Sequence, residues 1–153
     1  MTLDQNRYFM LTGAICSLWS YLEYLLSNII WSLLSLDKEI GNIITGGRDI
    51  LPKINMAIAL ANHLDADREL RRALVDVRKQ LQSGLQDERN AAVHGVYSSN
   101  ETAIRPRRET HRGKGSGQAK DVDVTELEAV VRDIKKAIDT LLPSCERLGI
   151  NVH

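Results

Sequence analysis

Between Ala14 and Leu36 the chain carries a single formal charge, Glu23. No other feature restricts the fold as strongly. A run of about 20 apolar residues is long enough to cross the hydrocarbon layer of a bilayer, so this segment reads either as a membrane span or as a helix sealed inside a protein core. The same run holds five serines and Asn28. A carboxylate at mid-membrane costs on the order of 2.5–3.5 kcal/mol on insertion scales. The expectation is therefore a buried core helix and no membrane partner. Leu18, Leu22, Leu25, Ile29 and Leu33 recur at steps of three and four and fall on one stripe. Ser20, Glu23 and Ser27 recur at the same steps as a narrow polar stripe. A helix apolar on nearly every side must be covered from several sides, and in a chain of 153 residues that points to a second subunit.

The rest of the chain repeats the helical period. The first helix is expected over residues 4–36, with Asp4 as its cap. Asp37 to Gly47 reads as a connector ending in the breaker pair Gly46-Gly47. Asp49 looks like the cap of a second helix, "ILPKINMAIALANH", with Pro52 tolerated in its first turn. A third helix starts at Asp65 or Asp67, with Leu70, Leu74, Val77 and Leu81 in helical period. Ser83-Gly84 is a place for it to bend, and Gly95 a place to stop. Residues 98–121 are polar, glycine-bearing and aperiodic, and read as a loop or a mobile hairpin. From Arg105 to Lys120 this stretch has six positive residues against one negative. "TELE" then offers a capping box, Thr125 with Glu128, for a last helix running to about Arg147. Its apolar face is Leu127, Val130, Val131, Ile134, Ile138 and Leu141. The sum is one all-α domain over residues 1–153. It is an antiparallel up-and-down bundle of about four helices, the first and third long, with a basic loop or hairpin before the last.

Composition narrows the function classes. Lys plus Arg is 20 and Asp plus Glu is 20, which argues against a protein that coats nucleic acid by bulk charge but leaves room for a local basic patch. Cys16 and Cys145 stand far apart, with no paired cysteine or histidine spacing, so no zinc site and no other metal site is expected. Two isolated cysteines fit a reducing compartment. Residues 1–8 are polar and no cleavage-like segment follows, so no signal peptide is expected and the location expected is cytoplasmic.

One short stretch carries chemistry: "QDERNAAVHGVY", residues 86–97. Its bland reading is a helix end with a C-terminal histidine favoured by the helix dipole. Its sharper reading is a ribonuclease site. Cleaving RNA without a metal needs a base for the 2′-hydroxyl proton and a cation for the charge that builds on phosphorus. Histidine serves as base or acid near neutral pH. Arginine grips two phosphoryl oxygens in a fork and stays charged. Asn90 and His94 are four apart and share a helix face, so Asn90 can orient the ring or bind phosphate. Arg89 and His94 are about 140° apart on a straight helix. They are expected to converge only if the helix distorts or if two copies contribute. Trp19 and Trp31 read as core or interface residues more readily than as platforms for bases.

"RNAAVH" resembles the Arg-Asn-x-x-x-His motif of the HEPN superfamily, small helical domains that include metal-independent endoribonucleases of toxin, antiviral and CRISPR systems. The long first helix with a tryptophan and a nearby glutamate, "LWSYLEYLL", is similar as well, and the likeness extends loosely over residues 8–148. It implies a homodimer whose two motifs face one cleft, an RNA substrate, no cofactor, and an antitoxin or regulatory protein as a further partner. Carried onto this chain, His94 is the general base or acid, Arg89 the phosphate clamp, Asn90 a positioning group and Glu23 a supporting carboxylate. Tyr97 and the basic residues Arg105, Arg107, Arg108 and Arg112 are the candidate substrate contacts. The toxin branch has His-x-Tyr, whereas Tyr97 here follows His94 by three places. The alternative reading is a HEPN-like module that binds RNA or a protein without cleaving.

Overall fold

A computed structural model describes residues 3–94, 96–100, 103–108, 120–121 and 123–152 of the chain, with side chains for 6–94 and 123–152. It is an all-α bundle. Helix α1 spans Leu3–Leu33, α2 Lys38–Thr45, α3 Ile50–His63, α4 Arg68–Gln80, α5 Gln86–His94 and α6 Val124–Arg147. A kinked segment, Leu81–Leu85, joins α4 to α5. Between α5 and α6 the backbone forms antiparallel strands β1 (Val96–Asn100), β2 (Ala103–Arg108) and β3 (Lys120–Asp121), with Ser98 opposite Arg105. The rest of the stretch read from the sequence as a loop or hairpin lies outside the described residues.

The central element is α1, whose largest packing partner is α6, followed by α3. Ile15, Trp19, Leu22, Leu25, Leu26, Ile29 and Ile30 are buried along it. Of the expected stripe, Leu22, Leu25 and Ile29 are in the core, while Leu18 and Leu33 pack at its edge. The polar stripe does not face one environment: Ser20 is exposed, Glu23 half-buried and Ser27 buried. The opposite side of α1 is open within the single chain, with Met10 73% and Tyr24 43% exposed. Asn6–Leu33 is long and apolar enough to cross a membrane by length and composition.

The directions of the helices follow from contacts at their ends. Arg7 pairs with Glu128 near the starts of α1 and α6, and the Tyr21 hydroxyl donates to the Val152 carbonyl at 2.8 Å beyond the end of α6. These two helices therefore run in the same sense. Arg147 on α6 reaches Asp67 and Glu69 at the start of α4, so α4 and α6 are antiparallel. The short turn from His63 to Arg68 makes α3 and α4 antiparallel neighbours too.

Three local expectations are corrected. The connector after α1 contains a helix, α2, which a sequence with Gly41 in its middle does not advertise. Asp37 caps it by accepting from the Ile40 amide at 2.9 Å, and Trp31 Nε1 donates to Thr45 Oγ1 at 3.0 Å. Gly41 is required there, because a Cβ would stand 2.6 Å from the Trp31 ring. Second, α1 already begins at Leu3, so Asp4 lies inside its first turn and not ahead of it. Third, α6 is capped by Asp123, whose carboxylate accepts from the Thr125 amide at 3.3 Å and from the Thr125 hydroxyl at 2.6 Å. These bonds hold the Asp123 carboxyl below the usual carboxylate range. Glu128 is engaged with Arg7 and does not reach back as a box partner.

Cys145 is fully buried, and that burial pushes its thiol up to about 11. It is a core residue and no nucleophile.

Candidate functional site

The path from α4 to α5 decides where the motif points. Val77, Leu81 and Leu85 are buried at steps of four, and Ala92 is buried seven residues on. The inward position between Leu85 and Ala92 falls to Arg89, which is half-buried. The kinked segment interrupts the helical phase just before this stretch, and Gly84 in it has φ 123° and ψ −14°, a conformation only glycine takes without strain. The bend expected at Ser83-Gly84 is therefore present, and it turns α5 toward α1 and the start of α3.

An arginine at an inward position needs partners for its charge. Its guanidinium carbon lies 5.1 Å from the centre of the Trp19 ring, and its Nη1 donates to Asn90 Oδ1 at 2.9 Å. Stacking of this kind contributes from about 0.5 to 2 kcal/mol as the pair is desolvated. Arg89 Nε is buried with no hydrogen-bond partner. An orphaned donor of this sort costs about 1–3 kcal/mol. A guanidinium fork is the group that grips carboxylates and phosphates.

A cleft of about 390 Å³ opens beside this arginine, lined by Trp19, Glu23, Asp49, Ile50, Gln86, Arg89, Asn90 and His94. The four residues expected from the sequence as the core of the site, Glu23, Arg89, Asn90 and His94, thus share one cavity. They come from positions 66 residues apart (Glu23 to Arg89) and from two helices. His94 is exposed at the C-terminal end of α5, and Glu23 is half-buried on α1. Among the described residues, neither Glu23 nor Asp49 forms an ion pair. No group of three or more histidine, cysteine, aspartate or glutamate side chains gathers there to hold a metal.

α5 is regular from Gln86 to His94, and Arg89 and His94 both line the cleft. Trp19 is only 3% exposed, so it serves as a floor for Arg89 and cannot offer a free face to a base.

Sequence reasoning missed Gln86, Ile50 and the cleft position of Asp49. Gln86, Asn90 and His94 are spaced by four and share a helix face, a signal present in the sequence for Gln86. Nothing local marks Asp49, because only packing brings the start of α3 to α5. At Asp49 the backbone is in cap geometry, φ −65° and ψ 164°, yet its side chain makes no cap hydrogen bond. The side chains of Tyr97, Arg105, Arg107 and Arg108 lie outside the described residues, as does Arg112 altogether. The open groove elsewhere, along Glu128, Arg132, Lys135 and Asp139 of α6, mixes both signs of charge and gathers no comparable set.

The fold and cleft define an all-α bundle that presents an arginine, an asparagine and a histidine from one helix beside two carboxylates. No family model, curated protein or solved structure matches the chain.

Proposed function

We propose that this protein is a metal-independent endoribonuclease of the toxin or phage-defence kind, acting in the cytoplasm as a homodimer. The observation that carries the reading is the arrangement of Arg89, Asn90, His94 and Glu23 around one cleft, with Arg89 fixed by Trp19 and Asn90 and its Nε left without an acceptor. The resemblance of "RNAAVH" to the HEPN motif supports the same chemistry.

In this reading Arg89 binds the scissile phosphate through its guanidinium where it lines the cleft, and Asn90 keeps that group in place. His94 takes the proton of the 2′-hydroxyl. The 2′-oxygen attacks phosphorus, the bond from phosphorus to the 5′-oxygen breaks, and the departing oxygen takes up a proton. The products are a 2′,3′-cyclic phosphate and a 5′-hydroxyl end. Arg89 neutralises the charge that develops on the phosphoryl oxygens, where a fixed cation is most effective. Glu23 is the supporting carboxylate on the α1 wall. A second copy adds its own motif across the open side of the cleft. Tyr97, Arg105, Arg107, Arg108 and Arg112 extend the grip along the RNA backbone. An antitoxin or regulatory protein would act by covering this cleft.

The test is cleavage of RNA by the purified chain in EDTA, with His94→Ala in parallel. Cleavage is expected without added metal, since no step is routed through one. Loss of one general acid–base group lowers the rate by about 10²–10⁴-fold, and the fold survives because His94 is exposed at a helix end. Equal cleavage by both proteins, or none by either, would remove the enzymatic reading and leave a module that binds without cutting.

A further inference from the structure

Four helices in this protein begin at an aspartate: Asp37, Asp49, Asp67 and Asp123. Three of these carboxylates accept an amide of their own helix, from Ile40, Leu70 and Thr125. Asp49 does not, although its backbone (φ −65°, ψ 164°) matches that of Asp37 (φ −70°, ψ 165°). Asp49 is exposed and is among the residues that line the cleft with Arg89, Asn90 and His94, and among the described residues it has no cation partner. A group placed to cap, and not capping, stands free at the rim of a binding site.

We infer that Asp49 reads the base of a bound nucleotide and selects one whose Watson–Crick edge presents two adjacent donors, as guanine does; the inference rests on the RNA reading of the cleft. An ionised carboxylate only accepts hydrogen bonds, and it repels phosphate. It therefore addresses the N–H and O–H groups of a nucleotide. The 2′-hydroxyl neighbours the phosphate and belongs with the grip on α5. The base projects away from the phosphate, toward the walls that come from other elements, and Asp49, just ahead of α3, is the carboxylate there that its own helix leaves unused. Two carboxylate oxygens match the side-by-side N1–H and N2–H of guanine. Uracil offers one donor flanked by two acceptors, which a carboxylate repels. Adenine and cytosine each place an acceptor beside their amine. Unpaired bases are read on this edge by other RNA-binding proteins, and a site built for a donor rejects the analogue that lacks it.

Binding of 3′-GMP and 3′-UMP to the intact chain and to Asp49→Asn, followed by calorimetry, tests this. The wild type is expected to prefer 3′-GMP by about tenfold or more, the discrimination typical of a bidentate base contact. In Asp49→Asn the affinity for 3′-GMP should fall to that for 3′-UMP, with 3′-UMP unchanged. The substitution keeps the shape of the side chain and removes no cap, so the variant folds, which circular dichroism checks. Equal binding of the two nucleotides by the wild type, an equal loss on both in the variant, or no binding of either would overturn the inference. Failure of the ribonuclease reading shows separately, in RNA cleavage by wild type against His94→Ala. A chain that discriminates through Asp49 but never cuts would keep the base-reading role and lose the enzyme.

Discussion

Arg89 rests on Trp19, its guanidinium carbon 5.1 Å from the centre of the indole. A buried aromatic ring thereby holds a cation at the edge of a polar cleft, and the core and the site meet at this pair. Arg89→Lys keeps the charge but loses the guanidinium fork. RNA cleavage is expected to fall by on the order of 10²-fold, while urea unfolding shifts by about 1 kcal/mol or less. Trp19→Leu should do both kinds of damage, lowering stability by about 1–3 kcal/mol through the space it leaves and cleavage through a loose Arg89. A Trp19→Leu protein that is destabilised but cleaves as well as wild type would show that the ring is packing alone.

The kink before α5 rests on Gly84. A Cβ there would meet nothing closer than Glu88 Oε1 at 4.0 Å, so the cost of Gly84→Ala lies in the backbone, at φ 123°. Holding a non-glycine residue in such a conformation costs on the order of 1–3 kcal/mol. The variant is expected to lose that much in chemical denaturation. It should also lose RNA cleavage beyond what the stability change accounts for, because relaxing the kink swings Arg89 and His94 together.

α2 is pinned to α1 at a second glycine. Gly41→Ala places a Cβ against the Trp31 ring at a separation no real contact shows, and either the ring or the helix must move. Overpacking of this kind typically costs about 1–3 kcal/mol. The bond from Trp31 Nε1 to Thr45 Oγ1 should break with it, which tryptophan fluorescence reports as a change in emission maximum. The cleft lies elsewhere on α1, so binding of 3′-GMP should change little.

The open side of α1 bears on assembly. Met10 and Tyr24 are well exposed on a helix otherwise poor in charge, and Gly13 between them has no atom within 4 Å of a built Cβ, so a second helix can approach closely there. Sedimentation at micromolar concentration is expected to show a dimer, with an interface of the obligate class, upward of about 2,000 Å². Gly13→Arg should convert it to a monomer, since a buried unpaired charge is not tolerated at such an interface. A wild type that sediments as a 17.2 kDa species would rule the dimer out.

The sequence by itself determined the helical class, because the steps of three and four in Leu22, Leu25 and Ile29, in Leu70, Leu74 and Val77, and in Leu127, Val130 and Ile134 are local facts that any helix must obey. It also marked the bend at Gly84, since glycine in a helical run is a local break. The grouping of Arg89, Asn90 and His94 was legible because all three lie within two turns of one helix. Only the tertiary structure decided the rest. Glu23 and Asp49 enter the cleft through the packing of α1 and α3, contacts between residues far apart in the chain that no period encodes. α2 exists because Trp31 accepts Gly41 and Thr45 against it, a fit between surfaces and not a propensity. Asp49 and Asp123 look alike in sequence, each an aspartate before an apolar helix, and one caps its helix while the other faces the cleft. Asp123 meets the Thr125 amide and hydroxyl in its own first turn, whereas Asp49 makes no cap bond and lines the cleft, a difference visible only in the folded chain.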